Sequence, residues 1–454
     1  MAKLINTNVH FIGIGGIGVS ALAKYYLEKG HKVSGSDLVS SEITEALKKL
    51  GAEICIGSHT SRTVLNGIDL VVYSPAVPKD NPELKKAFNL QVSSYKLRVL
   101  SYPEALGELT KKYFTIAISG THGKSTTTAM IGLLLEKAGF NPTVIIGTKL
   151  REFNGSNCKV GKSKYLVIEA DEHMASFLNY WPKIIVINNI DRDHLDYYKN
   201  LNNIIRAFGK FVEHLPKNGI LVVNGDDKNS LKLKAKSEKQ QFKIKNYSLG
   251  QPEIKKLKKI LKVPGEHNIS NALAALTVAR ALKIPDKISF KALSEYKGSW
   301  RRFEIKYTKL HKSEHKSTRI TIISDYAHHP TEIKTTLKAA REKYPGKKIW
   351  CIFQPHQYQR TFYLFDNFVR VFQEANEKNW INQLVITDIY DVAGRENKTI
   401  KEKINSKKLI KEIDGNGIYL PKQKIIGYLK KNLKGEGIVI IMGAGDIYKL
   451  IYQF

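Results

Sequence analysis

Ser119-Gly120-Thr121-His122-Gly123-Lys124-Ser125-Thr126 places a lysine and two hydroxyls behind a short glycine-bearing turn. Backbone N–H groups in such a turn can cradle phosphate oxygens. Lys124 can neutralise the β and γ oxygens of a nucleoside triphosphate, and the Ser125 hydroxyl can ligate Mg²⁺. The run departs from the full phosphate-loop pattern at its first glycine, where Ile118 stands. Further on comes Glu169-Ala170-Asp171-Glu172. Carboxylates this close repel one another unless a cation lies between them, which points to the same Mg²⁺. Asn188-Asn189-Ile190-Asp191-Arg192-Asp193-His194-Leu195-Asp196 then sets one histidine among aspartates, a grouping suited to metal binding or proton transfer.

A second glycine run, Gly13-Ile14-Gly15-Gly16-Ile17-Gly18, opens the chain, and Ser36-Asp37 follows the next apolar stretch. Glycine lets the backbone approach a phosphate, and an acid at the spacing of Asp37 suits a ribose hydroxyl. NAD satisfies this physics, and so does any other nucleotide diphosphate. Gly265-Glu266-His267-Asn268-Ile269-Ser270-Asn271-Ala272 puts Asn268 and Asn271 on one helical face. They could pair with an adenine edge, or Asn268 could simply cap the helix. The last third holds Arg301-Arg302, Asp325-Tyr326-Ala327-His328-His329-Pro330 and Gln354-Pro355-His356-Gln357-Tyr358-Gln359-Arg360. Adjacent histidines such as His328 and His329 point apart, so binding of anionic or polar substrate groups is expected rather than a zinc pair.

These runs need strands and helices to place them. Val9–Ile14, Lys32–Ser36 and Leu70–Tyr73 read as strands, and Ser20–Lys29 and Ile43–Leu50 as helices. Tyr113–Ser119, Tyr165–Glu169, Ile184–Asn188 and Gly219–Asn224 continue the strands, with helices over Ser125–Ala138, Leu201–His214 and Asn268–Leu282. A hairpin of Glu304–Lys309 and Arg319–Ser324 around His311–Thr318 precedes strands at Lys348–Phe353, Leu384–Asp388 and Gly437–Met442. Alternating strands and helices predict an α/β protein of mainly parallel sheets, which bind ligands at strand C-terminal ends. Three domains are expected, at 1–107, 108–299 and 300–454. The stretch from Lys228 to Lys262, with twelve lysines and two glutamates, is expected to be a mobile insertion.

Lysine and arginine number 73 against 42 acids, a formal charge of +31. Such a surface could attract a polynucleotide, but no aromatic-interleaved basic stripe accompanies it, so a lysine-biased solvated surface is expected, with no nucleic-acid partner. No apolar run is long enough to span a membrane, and the first one lacks signal-peptide features. The three cysteines, Cys55, Cys158 and Cys351, are far apart, which excludes a disulfide framework or a Cys-based zinc site and suits a reducing cytoplasm.

GIGGIG, GTHGKST, EADE, DRDHLD, EHNISNALAA, DYAHHPTE, FQPHQYQRT and a terminal GAGDI occur in one order. With them the chain resembles the Mur ligases of peptidoglycan synthesis over nearly its whole length. The resemblance implies a Rossmann-like N-terminal domain, a central ATP-binding domain and a Rossmann-like C-terminal lid. It implies an ATP- and Mg²⁺-dependent amide ligase that joins L-alanine to UDP-N-acetylmuramate through an acyl phosphate. A relative that adds a different amino acid or a peptide would share most motifs. Residue by residue, it implies UDP-sugar binding at Gly13, Gly15, Gly16, Ile17, Gly18, Ser36, Asp37 and Ser74. ATP falls to Gly120, Thr121, His122, Gly123, Lys124, Ser125, Thr126, Asn268, Asn271, Arg302 and Asp325. The metal falls to Ser125, Glu169 and His194, and the amino acid to Tyr326, His328 and Arg360. Lys124, His194 and Arg302 are the implied catalytic residues. Departures from the family pattern are Ser125 for threonine, His173-Met174 after EADE, and Gln357 where some relatives carry arginine. Either a monomer or a homodimer is compatible with this reading.

Overall fold

The computed structural model describes residues 7–57, 67–93, 96–237, 241–313, 316–392, 398–433 and 435–454. Their strands form three sheets. β1 (Asn8–Ile12), β2 (Lys32–Asp37), β3 (Glu53–Ile56), β4 (Leu70–Tyr73) and β5 (Arg98–Ser101) lie parallel in the order β3-β2-β1-β4-β5. Strand order reverses beside β1, so the loop after β1 opens at a switch point, where such sheets leave a crevice.

The second sheet runs β12-β11-β10-β6-β9-β7-β8. Its strands are β6 (Phe114–Ser119), β7 (Thr143–Leu150), β8 (Ser156–Lys159), β9 (Tyr165–Glu169), β10 (Ile184–Ile187), β11 (Ile220–Asn224) and β12 (Lys243–Tyr247). Only β8 is antiparallel to its neighbour. β6 lies between β9 and β10, so the loops leaving these three strands are neighbours by topology. Val167, Ile168, Ile185 and Val186 are fully buried, as a sheet covered on both faces requires.

The third sheet, β13-β14-β18-β15-β16-β17, comprises β13 (Glu304–Ser313), β14 (Lys316–Asp325), β15 (Lys348–Phe353), β16 (Gln383–Ile386), β17 (Gly417–Tyr419) and β18 (Gly437–Met442). β13 and β14 form the antiparallel hairpin, extended beyond the expected limits, and its 314–315 turn lies outside the described residues. Ile323, Cys351, Phe353 and Ile440 belong to one apolar cluster, and Ile322, Ile352, Val439 and Ile441 to another. Consecutive residues thus alternate between two cores, as the strand period of two dictates. Here β18 lies between β14 and β15, again bringing three strand-end loops together.

By packing, the chain divides into two compact units. One comprises Met1–Asp191, Asn202–Gln251 and Asn271–Leu293, with the first two sheets; the other comprises Arg192–Leu201, Pro252–Ser270 and Ser294–Phe454, with the third.

Local sequence explains several helix starts. Ser101 and Glu104 form a capping box ahead of Tyr102–Lys112, with a proline in the first turn. His329 and Glu332 do the same for Pro330–Lys343. The expectation of a mobile insertion at Lys228–Lys262 is wrong. A helix at Lys228–Ser237 leads into β12, which pairs in parallel with β11, and a helix over Ile254–Ile260 follows. Buried Leu233, Phe242, Tyr247 and Leu257 anchor the segment, while Lys232, Lys243, Lys245 and Lys255 are exposed; residues 238–240 lie outside the described ones. No helix among the described residues is long and apolar enough to cross a membrane.

Gly107 sits inside a helix, where alanine normally stabilises. A Cβ there would stand 2.4 Å from the Asn179 carbonyl oxygen. Gly107→Ala is expected to destabilise by about 2 kcal/mol through overpacking, read as a lowered urea midpoint at unchanged m-value.

Candidate functional site

The loop after β1 is tied to the end of β2 through Gly13 N–H and Ile14 N–H, both donating to the Ser36 carbonyl (2.9 and 3.0 Å). Gly15 N–H donates to Asp37 Oδ2 at 2.8 Å, and a Cβ on Gly15 would collide with that carboxylate. Gly13, Gly15, Gly16, Asp37 and Ser74 line an open cleft of about 650 Å³. Ser36 is placed differently: its hydroxyl donates to Glu83 Oε2 (2.6 Å), and Glu83 Oε1 meets His10 Nε2 at 2.8 Å. Gly18 packs on the Tyr102 ring, and the Ile17 carbonyl accepts from Asn157 Nδ2 at 2.6 Å. These three hold the turn in place, and none of them lines the cleft.

The loop after β6 has Gly120 and Gly123 at positive φ (133° and 80°). Side chains are excluded there, because a Cβ on Gly120 would meet Asn188 at 3.0 Å and one on Gly123 would meet Asn271 Oδ1 at 2.5 Å. Asn188 and Asn189 amides donate to the His122 carbonyl, Asn189 Oδ1 accepts from His122 N–H, and Thr121 Oγ1 accepts from Asp191 N–H. The loop after β10 thus splints the loop after β6. His122 Nε2 lies 3.4 Å from Asp191 Oδ2.

The loop after β9 supplies the charge. Lys124 Nζ is 2.8 Å from Glu172 Oε2 and 3.9 Å from Asp171 Oδ1. Burial pulls its pKa down, but Glu172 and Asp171 outweigh that and raise it above the ordinary lysine value. The carboxylates of this motif therefore have a cation of their own. Glu169 turns elsewhere, accepting from Gly147 N–H at 2.8 Å. Ser125 and Thr126 are buried at the start of the helix Lys124–Lys137. Ser125 and Glu169 belong to the first unit, and His194 to the second.

In the second unit, Arg360 forks onto Asp193 (Nε–Oδ1 3.1 Å, Nη2–Oδ2 3.3 Å) and reaches His356 Nδ1 at 3.2 Å. Burial raises the Asp193 pKa, but Arg360 and then His194 hold it well below the carboxylate range. Arg192, Asp193, His194, Gln357, Arg360 and Tyr363 line a small pocket. His194 and Gln357 are both left-handed (φ 51° and 71°), sparsely populated for residues other than glycine. His328 lies 3.2 Å from Glu332, and His329 donates through Nε2 to the Arg192 carbonyl at 3.0 Å; the adjacent histidines do point apart.

Asp325 accepts from Phe303 N–H (2.8 Å) and Ala327 N–H (2.7 Å), and burial lifts its pKa to about 6. The helix Glu266–Ala281 begins two residues before Asn268, whose amide donates to the Pro264 carbonyl. Asn268 is therefore inside the first turn and is not the cap. From the sequence, Glu172 and Asp193 enter only as members of acidic runs suited to a metal, and Asn189 has no role of its own. The position of each at a strand-end loop beside an assigned residue was the available signal.

Three family models match the chain: the Mur ligase family catalytic domain over residues 8–114, the Mur ligase middle domain over 118–279, and the Mur ligase glutamate ligase domain over 301–445. The chain belongs to the Mur ligase family. Within it, the chain is 42% identical to the UDP-N-acetylmuramate–L-alanine ligase of Clostridium acetobutylicum, covering 99% of this chain and 98% of that one. The ligase of the same name from Persephonella marina is 41% identical, covering 98% and 96%. The crystal structure of UDP-N-acetylmuramate–alanine ligase from Thermotoga maritima matches with a TM-score of 0.76 and 28% identity over 98% of both chains.

Burial and the nearby Arg302 hold the His267 pKa at about 4, and burial, with Arg360, does the same for His328. Unfolded histidine binds a proton near pH 6.5, so falling pH favours the unfolded chain between about 6.5 and 4. Asp325 acts oppositely between 3.8 and about 6. The melting temperature is expected to fall on acidification from pH 7 to pH 5. His267→Gln should flatten that slope by on the order of 2 kcal/mol, read by thermal melts across pH.

Proposed function

We propose that the chain is an ATP-dependent ligase that forms the amide between L-alanine and the carboxylate of UDP-N-acetylmuramate. The observation that carries this reading is the match at 42% identity, over nearly the full length of both chains, to a relative of that name. Domain limits at 107/108 and 299/300 follow from the same reading: each domain contributes one sheet.

The chemical problem is that a carboxylate oxygen leaves badly. Its attack on the γ-phosphate of ATP expels ADP and gives an acyl phosphate; the alanine amine then attacks the carbonyl carbon, inorganic phosphate leaves and the new amide nitrogen gives up a proton. Two anions must meet in the first step, so fixed cations aimed at the transferring group should dominate catalysis. The loop after β6 fits a triphosphate: its glycines leave no room for a Cβ, and Lys124 is kept charged by Glu172 and Asp171. Lys124 and the Gly120–Gly123 backbone hold the phosphates, and Arg302 is the second cation assigned to the transferred group. Asn271, packed against Gly123, and Asn268 are assigned to adenine, and Asp325 to the ribose side. The UDP-sugar is assigned to the cleft at Gly13, Gly15, Asp37 and Ser74.

Ser125 and Glu169 are hard oxygen donors of the kind Mg²⁺ takes, and His194 is the third residue assigned to it. Bound there, Mg²⁺ would neutralise phosphate charge. The amino acid is assigned to Arg360, which Asp193 holds in place beside His194. Tyr326 and His328 border the same strand-end loops.

Phosphate release with ATP and UDP-N-acetylmuramate should depend on L-alanine in a panel of amino acids, and not on added DNA or RNA. Release driven by a polynucleotide would overturn the reading. Lys124→Met is expected to lower turnover by about 10³-fold. Replacing the exposed Lys255, Lys256, Lys258 and Lys259 by glutamine should change it less than about twofold.

A further inference from the structure

Arg301 and Arg302 are neighbours with opposite settings. The side chain of Arg302 is 29% exposed, whereas Arg301 is 3% exposed. Among the described residues no acid forks onto the buried guanidinium. It lies over three rings instead, Tyr448 at 4.4 Å, Tyr326 at 4.9 Å and Trp300 at 5.4 Å. Its Nη2 donates to the carbonyls of Gly443 and Gly445, and its Nε is buried without a hydrogen-bond partner. A buried charge held in this way is costly, and the backbone adds to the cost: Arg301 (φ 56°) and Phe303 (φ 49°) are both left-handed.

Those costs are borne where the chain crosses from the central segment into the third sheet. The Arg301 carbonyl accepts from Tyr326 N–H at 2.6 Å, the Asp325 carbonyl accepts from Gly443 N–H at 3.1 Å, and Asp325 holds Phe303 N–H. The terminal GAGDI run enters here. Gly445 is pressed so close to the Tyr390 ring that a Cβ would stand 2.5 Å away. Arg301 therefore binds the linker, the loop after β14 and the loop after β18 into one body. Arg302 lies over the same Tyr326 ring at 5.0 Å.

We infer that Arg301 is a positioning residue: by gripping the Gly443 and Gly445 carbonyls and the Tyr326 ring from the buried side, it fixes the direction in which Arg302 is presented to the phosphoryl group. This rests on the proposed role of Arg302. A lysine cannot reproduce the planar fork or its stacking, so Arg301→Lys should fail at a task that charge alone would perform.

The test is a double-mutant cycle on the full chain, scored by steady-state phosphate release with UDP-N-acetylmuramate and L-alanine, with melting temperature measured alongside. Arg301→Lys and Arg301→Met are expected to lower kcat by about 100-fold, the scale of a misplaced reacting group. KM for the UDP-sugar should stay within about twofold, because only the presentation of Arg302 is disturbed. In the Arg302→Lys background, adding Arg301→Lys should cost less than about threefold more, since a residue acting through Arg302 has nothing left to position. Full multiplicative loss in the double variant overturns the inference, and so does a lowered melting temperature with kcat unchanged. If Arg302→Lys alone leaves kcat intact, the inference falls with the role of Arg302. Absence of alanine-dependent release in the unaltered enzyme would instead sink the functional reading itself.

Discussion

The ammonium of Lys124 organises the central part of this molecule. It is only partly exposed, and it persists as a cation because Glu172 and Asp171 meet it from the neighbouring strand end. That arrangement presupposes β6 between β9 and β10, glycine at positions 120 and 123, and asparagine side chains bracing the loop. Remove any one, and the charge is either neutralised or misdirected. A triphosphate entering the loop meets a cation whose desolvation has already been met during folding, which is what preorganised electrostatics requires.

The third sheet repeats the device with different chemistry. Its central strands β14, β18 and β15 end in DYAHHP, GAGDI and FQPHQYQR, and their loops are interlocked by Asp325, Gln354 and Arg301. Gln354 Oε1 accepts from Ile447 N–H, and Gln354 Nε2 donates to Asp446. A parallel sheet gathers strand C-termini on one edge, so motifs far apart in sequence become neighbours without any long-range sequence signal.

That is also why the sequence could be read in part only. The phosphate loop, the first glycine turn and most strands were legible, because glycine spacing and buried apolar runs are local properties. β3, β5, β8 and β17 are absent from the sequence reading because they are short strands of mixed polarity, and β7 (Thr143–Leu150) is absent as well although it is largely buried. The lysine-rich stretch misled, because composition obscured the few apolar residues that anchor β12. Ser36 was assigned to the nucleotide by its place beside Asp37, yet its hydroxyl belongs to a buried chain with Glu83 and His10, a fact set by the tertiary fold. Arg360 is assigned to the amino acid from its motif, and the fold adds a partner that the sequence does not reveal, Asp193.

The pairing of Asp193 with Arg360 spans 167 residues of chain. A ribosome adding 5–20 residues per second leaves Asp193 without its guanidinium for roughly 8–33 s. Through that interval the two N-terminal sheets can already consolidate, whereas the Arg192–Leu201 segment waits in water for the last third of the protein.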